Sequence, residues 1–128
     1  MLKRTLLFVA LLTLIPTLAF AESVTATIDG SCALKSATIT VPAGKTASGF
    51  SLGALAAGTK CTVGGAPDTK GWGITSGGVK VYYWSSFKGG SPSEVGGALS
   101  GLVLQPGTYG VFVDGGAGAS ATVNFTIK

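Results

Sequence analysis

The sequence contains no histidine, and only 11% of its 128 residues are charged. Without histidine, Ser-His-Asp and Cys-His catalytic triads are excluded, as are His-ligated zinc, copper and iron sites. The two cysteines, Cys32 and Cys61, are too far apart in sequence for a C-x-x-C redox or zinc motif. The many glycines lie between short extended segments, and no helix follows them to receive a phosphate, so nucleotide-binding loops are also excluded.

Carboxylates are scarce as well, and this argues against an enzyme. The five acidic residues lie at predicted termini or turns, where solvated turn formers are common: Glu22, Asp29, Asp68, Glu94 and Asp114. A glycosidase needs two carboxylates held in one cleft, and nothing in the sequence pairs any two of these. We therefore expect a non-catalytic protein without a cofactor. Asp29, Asp68 and Asp114 lie beside glycine or proline and are weak candidates for calcium ligands.

The N-terminal 21 residues have the layout of a secretory signal peptide. Lys3 and Arg4 precede an apolar stretch at residues 6–18, and Ala19-Phe20-Ala21 is a small-x-small cleavage pattern. A transmembrane anchor is the alternative, but the stretch is shorter than the ~20 apolar residues that a span needs. We expect a single secreted domain over residues 22–128, periplasmic or extracellular, with a leader compatible with a bacterial source. Its scattered lysines form no nucleic-acid footprint.

Cys32 and Cys61 both lie in the predicted mature chain. In an oxidising compartment, two thiols in a small domain predict one structural disulfide. The alternative, a redox or metal pair, lacks both the spacing and the histidine ligands.

Short segments rich in Val, Ile, Thr, Tyr and Phe alternate with clusters of Gly, Pro, Ser and Asp throughout residues 22–128. This pattern is typical of an all-β protein, and a one-sided apolar alternation fits antiparallel sheets with one solvated face. We predict an antiparallel, two-sheet β-sandwich, jelly-roll-like, with about eight or nine short strands. The predicted strands cover residues 24–28, 37–41, 46–52, 60–63, 70–75, 79–87, 99–104, 108–114 and 120–127.

The segment Leu104-Gln105-Pro106-Gly107-Thr108-Tyr109-Gly110-Val111-Phe112-Val113-Asp114-Gly115 resembles the L-x-P-G-T-Y-x-V-x-V-x-G strand of bacterial pre-peptidase C-terminal domains and related secreted jelly-roll modules. The strand at residues 121–127 is similar to the closing strand of that pattern. The resemblance covers about 25 residues, and it implies a small accessory β-sandwich that accompanies secreted enzymes and in some members binds polysaccharide. We expect the chain to depart from the family, without a catalytic domain before the sandwich, and the Asp-rich calcium positions of some members are not evident.

An aromatic segment at residues 79–88 is the candidate binding surface. Strand alternation places Val79, Val81, Tyr83 and Phe87 on one face, as core, and Lys80, Tyr82, Trp84, Ser86 and Lys88 on the other, as a solvated face. Flat exposed rings suit the C–H face of a sugar, so Trp72, Tyr82 and Trp84, flanked by Lys80 and Lys88, form a candidate glycan platform. Plain packing is the alternative, and alternation with Ile74 favours a core position for Trp72.

Two functions from different classes are consistent with these features. The first is a secreted, non-catalytic module that binds polysaccharide or another surface glycan. The second is a structural subunit of an extracellular fibre, matrix or coat, which self-associates through open sheet edges. We rank glycan binding first.

Overall fold

The structure, a computed structural model, describes residues 19–59, 61, 70–86, 93–95 and 97–128. Described residues form nine strands and a single 3₁₀ turn at Leu99–Gly101. The strands are β1 (Phe20–Ile28), β2 (Leu34–Lys35), β3 (Ala37–Val41), β4 (Ala47–Ala56), β5 (Lys70–Ser76), β6 (Val79–Ser86), β7 (Ser93–Val95), β8 (Gly107–Asp114) and β9 (Ser120–Ile127).

The strands form two antiparallel sheets. The first sheet has four strands in the order β2-β1-β9-β4, and the second has five in the order β3-β8-β5-β6-β7. Three pairs are nested in the sequence: β1 with β9, β3 with β8, and β5 with β6. Nested antiparallel pairs divided between two sheets are what results when one long hairpin is rolled up, which is the winding of a jelly roll. The all-β sandwich prediction is confirmed.

Strand alternation supplies the core between the sheets. In β9, every second residue is buried, from Ala121 to Ile127, and Val123 is fully inaccessible. Ile39 of β3, Ile74 of β5 and Val111 of β8, all in the second sheet, belong to the same buried core cluster. Burial of one apolar face from each sheet is the main contribution to the stability of such a fold.

The predicted strands agree with the structure at several places, but β1 and β4 are longer than predicted, β2 and β7 are not among the predicted strands, and one predicted strand is absent. Residues 37–41 and 120–127 are strands with the predicted bounds. Residues 99–104 are not a strand, because Leu99–Gly101 forms a 3₁₀ turn and only Leu104 pairs, with Ala47. This turn lets Leu99 and Leu102 both pack against the core. The predicted strand at 60–63 lies outside the described residues except for Cys61.

Cys32 and Cys61 form the predicted disulfide, with their Cα atoms 6.0 Å apart. The bond joins the turn after β1 to the chain beyond β4. Asp29 shapes this turn, because its Oδ1 accepts hydrogen bonds from the Ser31 and Ala33 backbone N–H groups and from the Ser31 hydroxyl. Cys32 itself adopts a left-handed backbone conformation, with φ of 67°.

The predicted signal peptide falls mostly on residues 1–18, outside the described residues. β1 begins at Phe20, so cleavage after Ala21 would remove the first two residues of the strand, both exposed. Among the described residues, no helix could cross a membrane. The leader and its cleavage therefore stay predictions.

Candidate functional site

The three rings of the predicted platform lie on the inner face of the second sheet. Trp72 is 1% exposed and Tyr82 3% exposed, and Trp84 is half-buried against the core. Trp72 pairs directly with Trp84 across β5 and β6, and its ring centroid lies 5.0 Å from that of Tyr82. The prediction that Trp72 shares the core face of Ile74 is confirmed. The candidate platform of Trp72, Tyr82 and Trp84 is therefore not an exposed strip, and the alternative of plain packing describes these residues.

A β-bulge in β6 explains the difference from the predicted solvated face. Ile74 pairs with Tyr82 but Thr75 pairs with Lys80, so Val81 is an extra residue and the alternation changes phase there. Lys80 consequently lies on the outer face with Tyr83, not with Tyr82 and Trp84. Burial favours this arrangement, because each large ring removes about 150–250 Å² from water at about 25 cal/mol per Å². Lys80 is exposed, as predicted, and Lys88 lies outside the described residues.

The three inner rings do come together, as the walls of a cavity of about 300 Å³. Its lining consists of Leu52, Trp72, Tyr82, Trp84 and Leu99. These described lining residues carry no charged group, and the cavity is at the small end of ligand pockets. A sugar placed there would lose water from its hydroxyls with few polar partners in return. The described lining of the cavity is mainly aromatic and aliphatic.

The outer face of the second sheet carries a second aromatic cluster, which we call the outer-face plate and define as the rings of Tyr83 and Phe112. Their centroids are 5.8 Å apart and their planes differ by 21°. Both residues pair with Gly73, one from each side, so the rings lean together over a strand position that has no side chain. The plate is thus a stacked pair of apolar rings, half-buried and packed over Gly73 of the sheet.

Opposite charges flank the outer-face plate. The ammonium group of Lys80 lies 4.1 Å from the Tyr83 ring centroid and 5.8 Å from that of Phe112, which places it over the rings. At the other end, the Tyr83 hydroxyl donates a 2.8 Å hydrogen bond to Oδ2 of Asp114. Burial, together with the Asp114 carboxylate, raises the pKa of Tyr83 above its ordinary value of 10, although Ser85 opposes this shift. Tyr83 is therefore neutral at physiological pH, and its hydroxyl donates a hydrogen bond to the Asp114 carboxylate.

Sequence reasoning placed Tyr83 in the core and did not single out Phe112. Alternation within one strand cannot show which residue of β8 lies beside which residue of β6, because β5 separates them. A usable signal is the Gly71-Trp72-Gly73 sequence, which leaves one face of a central strand bare. Large side chains on the neighbouring strands are then expected to cover the glycines.

Of the weak calcium candidates, the two that the structure describes, Asp29 and Asp114, make separate contacts. Asp29 uses Oδ1 to close its own turn, and the hydrogen bond from the Ser31 hydroxyl is the main cause that lowers the pKa of its carboxyl below the ordinary value of 3.8. Asp114 accepts its bond from Tyr83 on a different element, and Asp68 lies outside the described residues. Among the residues that the structure describes, no three acidic or cysteine side chains are grouped as metal ligands would be.

Comparisons with protein-family models, curated proteins and solved structures found no match. The resemblance of residues 104–115 to pre-peptidase C-terminal domains therefore stays a prediction, as does the expectation that the chain is not an enzyme. What is established is a disulfide-linked, two-sheet β-sandwich that carries an aromatic cavity on the inner side of the second sheet and an aromatic plate on the outer side.

Proposed function

We propose that this chain is a secreted, non-catalytic binding module that binds polysaccharide or another surface glycan through the outer-face plate. The observation that carries the proposal is the pair of nearly parallel rings of Tyr83 and Phe112, 5.8 Å apart on the outer face of a sheet. Such a surface offers an apolar plane to the C–H face of a sugar ring while its rim stays polar. The disulfide supports the proposed secretion, because such bonds persist in oxidising compartments.

Lys80 and Asp114 supply the polar contacts that a sugar needs. The Asp114 carboxylate accepts a hydrogen bond from Tyr83 and has further lone pairs for sugar hydroxyls. Lys80 covers the plate in the free protein, but an exposed cation–π contact is worth only about 0.5–1 kcal/mol. A sugar can therefore displace the Lys80 ammonium from the rings at small cost, and the ammonium then donates to the rim of the ligand.

The proposal is tested by retention on a panel of insoluble polysaccharides, measured for the oxidised mature protein and two aromatic variants. Tyr83→Ala removes half of the plate and is expected to weaken retention at least about tenfold, as loss of an aromatic anchor does at interfaces. Tyr83→Phe keeps the ring and is expected to retain most of the binding.

Trp84→Ala is the matched control, because Trp84 is the next residue along β6 and faces inward. It is expected to lower the melting temperature and, below that temperature, to leave retention unchanged. If folded Trp84→Ala lost retention while Tyr83→Ala kept it, the binding site would be the inner cavity, and the proposal would be contradicted. No retention of the wild-type protein on any glycan would contradict glycan binding itself.

A further inference from the structure

The edges of the two sheets differ in how open they are to another strand. β2, at one edge of the first sheet, is only two residues long, and β7, at one edge of the second, is three residues long and contains Glu94. β4, the other edge of the first sheet, has two register irregularities against β9, and its first residue pairs with Leu104. Short strands, charges and bulges all discourage pairing with another chain.

β3 has none of these protections. Its five residues, Ala37-Thr38-Ile39-Thr40-Val41, are uncharged and pair with β8 in an unbroken register. Within the described residues β3 hydrogen-bonds as a strand to β8 alone, so one edge of the second sheet ends there. Backbone N–H and C=O groups along such an edge can accept another strand.

The sequence of β3 is complementary to itself in the antiparallel direction. A two-fold axis through Ile39 places Thr38 opposite Thr40 of a second copy, and Ala37 opposite Val41. Ile39 and Val41 point into the core and Thr38 and Thr40 point to solvent, so both faces match across the axis. In this register the nearby Lys35 lies opposite Ala43 of the second copy and Lys45 lies opposite Ala33, so no like charges are paired.

We propose that two copies of this chain associate by antiparallel pairing of their β3 strands, which makes one continuous sheet across both molecules. The threonines would form cross-strand pairs of the kind already present between β1 and β9, where the hydroxyls of Thr25 and Thr122 are 2.9 Å apart. The contact uses the same surface on each copy and therefore closes at a dimer, not at a filament. A single short strand buries less than a standard interface, so the dimer is weak and depends on concentration. This inference does not depend on glycan binding.

Sedimentation velocity of the oxidised protein, from about 10 µM to about 1 mM, tests the proposal, and we expect a reversible monomer–dimer equilibrium in that range. Thr38→Lys with Thr40→Lys places like charges opposite each other and should abolish the dimer. Thr38→Lys with Thr40→Glu places each lysine opposite a glutamate of the second copy. It should strengthen association about two- to thirtyfold, from two cross-strand pairs.

Thr108→Lys is the matched control, because Thr108 is exposed on β8 directly beside Thr40 but is not on the edge strand. It should leave the equilibrium unchanged, and thermal unfolding should show all variants folded. A wild-type protein that stays monomeric throughout would overturn the proposal. Dimerisation of the variant with lysine at both positions would also overturn it. So would failure of the variant with lysine and glutamate to dimerise. Tyr83 is intact in all of these variants, so glycan retention on the same samples separates this outcome from that of the proposed function.

Discussion

Gly73 is the residue on which the outer-face plate rests. A Cβ atom built there would lie 2.6 Å from the backbone oxygen of Tyr82 and 2.7 Å from the ring of Phe112. These separations are shorter than real contacts, so any side chain at this position must push the ring away or bend the strand. The missing side chain is what lets Tyr83 and Phe112 meet across β5.

Gly73→Ala should therefore lower the free energy of unfolding by about 1–3 kcal/mol, the usual cost of overpacking. Urea denaturation followed by tryptophan fluorescence measures it. Gly101→Ala is the control, because a Cβ there meets nothing within 4 Å. If both variants were equally stable, the close approach over Gly73 would not constrain the sheet.

Asp29 holds the turn that carries Cys32. Its Oδ1 accepts three hydrogen bonds, from Ser31 N–H, Ser31 Oγ and Ala33 N–H. These bonds favour the ionised carboxylate, and the pKa of Asp29 accordingly lies below its ordinary value of 3.8. The pKa of Asp29 is lower in the folded state than in the unfolded state. Its charge therefore stabilises the fold fully when the pH is above the ordinary pKa of 3.8, and this stabilisation is lost as the pH falls through the folded-state pKa.

Asp29→Asn keeps a side-chain oxygen that can accept the N–H bonds but removes the charge. We expect its melting temperature to fall below that of the wild type at neutral pH and the difference to shrink as the pH is lowered below the ordinary carboxyl pKa of 3.8. Calorimetry across this pH range measures the difference, with the exposed Glu22→Gln as the control carboxylate. A difference that did not change with pH would show that the charge of Asp29 has no part in the stability of the turn.

At the scale of elements, the disulfide links two segments that are not paired as strands within the described residues. Cys32 follows β1, and Cys61 lies beyond β4, at a sequence separation of 29 residues. Closing such a loop restricts the unfolded chain, which is the main source of disulfide stabilisation in the chain-entropy account. The bond also anchors the end of the first sheet near β2, a strand of only two residues.

Replacing both cysteines, as Cys32→Ala with Cys61→Ala, should lower the free energy of unfolding by about 3–4 kcal/mol. Denaturant titration with and without reductant measures the loss, and reductant should have no effect on the double variant. An unchanged unfolding midpoint on reduction of the wild type would contradict a stabilising role for the bond.

At the scale of the whole molecule, the nested pairing places the N- and C-terminal strands side by side in the first sheet. β1 and β9 pair along eight residues from Phe20 to Thr27, and β4 covers the other side of β9. The second sheet is built on β8, which lies between β3 and β5. Among the described strands, this winding leaves β3 at an edge of the second sheet. It also places the two aromatic clusters on opposite faces of that sheet, the inner one on β5 and β6 and the outer one on β6 and β8 across β5.

The sequence by itself determined the class of the fold. The absence of histidine excludes histidine-dependent catalytic triads and histidine-ligated metal sites in this sequence, and the two cysteines predict their disulfide. Strands such as Ala37–Val41 can be predicted because alternation and turn residues are local signals. Tertiary structure decided which rings face the solvent. One extra residue in β6, Val81, places Lys80 on the outer face and Tyr82 on the inner face. Tyr83 and Phe112 come together only because β6 and β8 lie on either side of β5. Register and bulges are selected by contacts between residues distant in sequence, and no local pattern contains them.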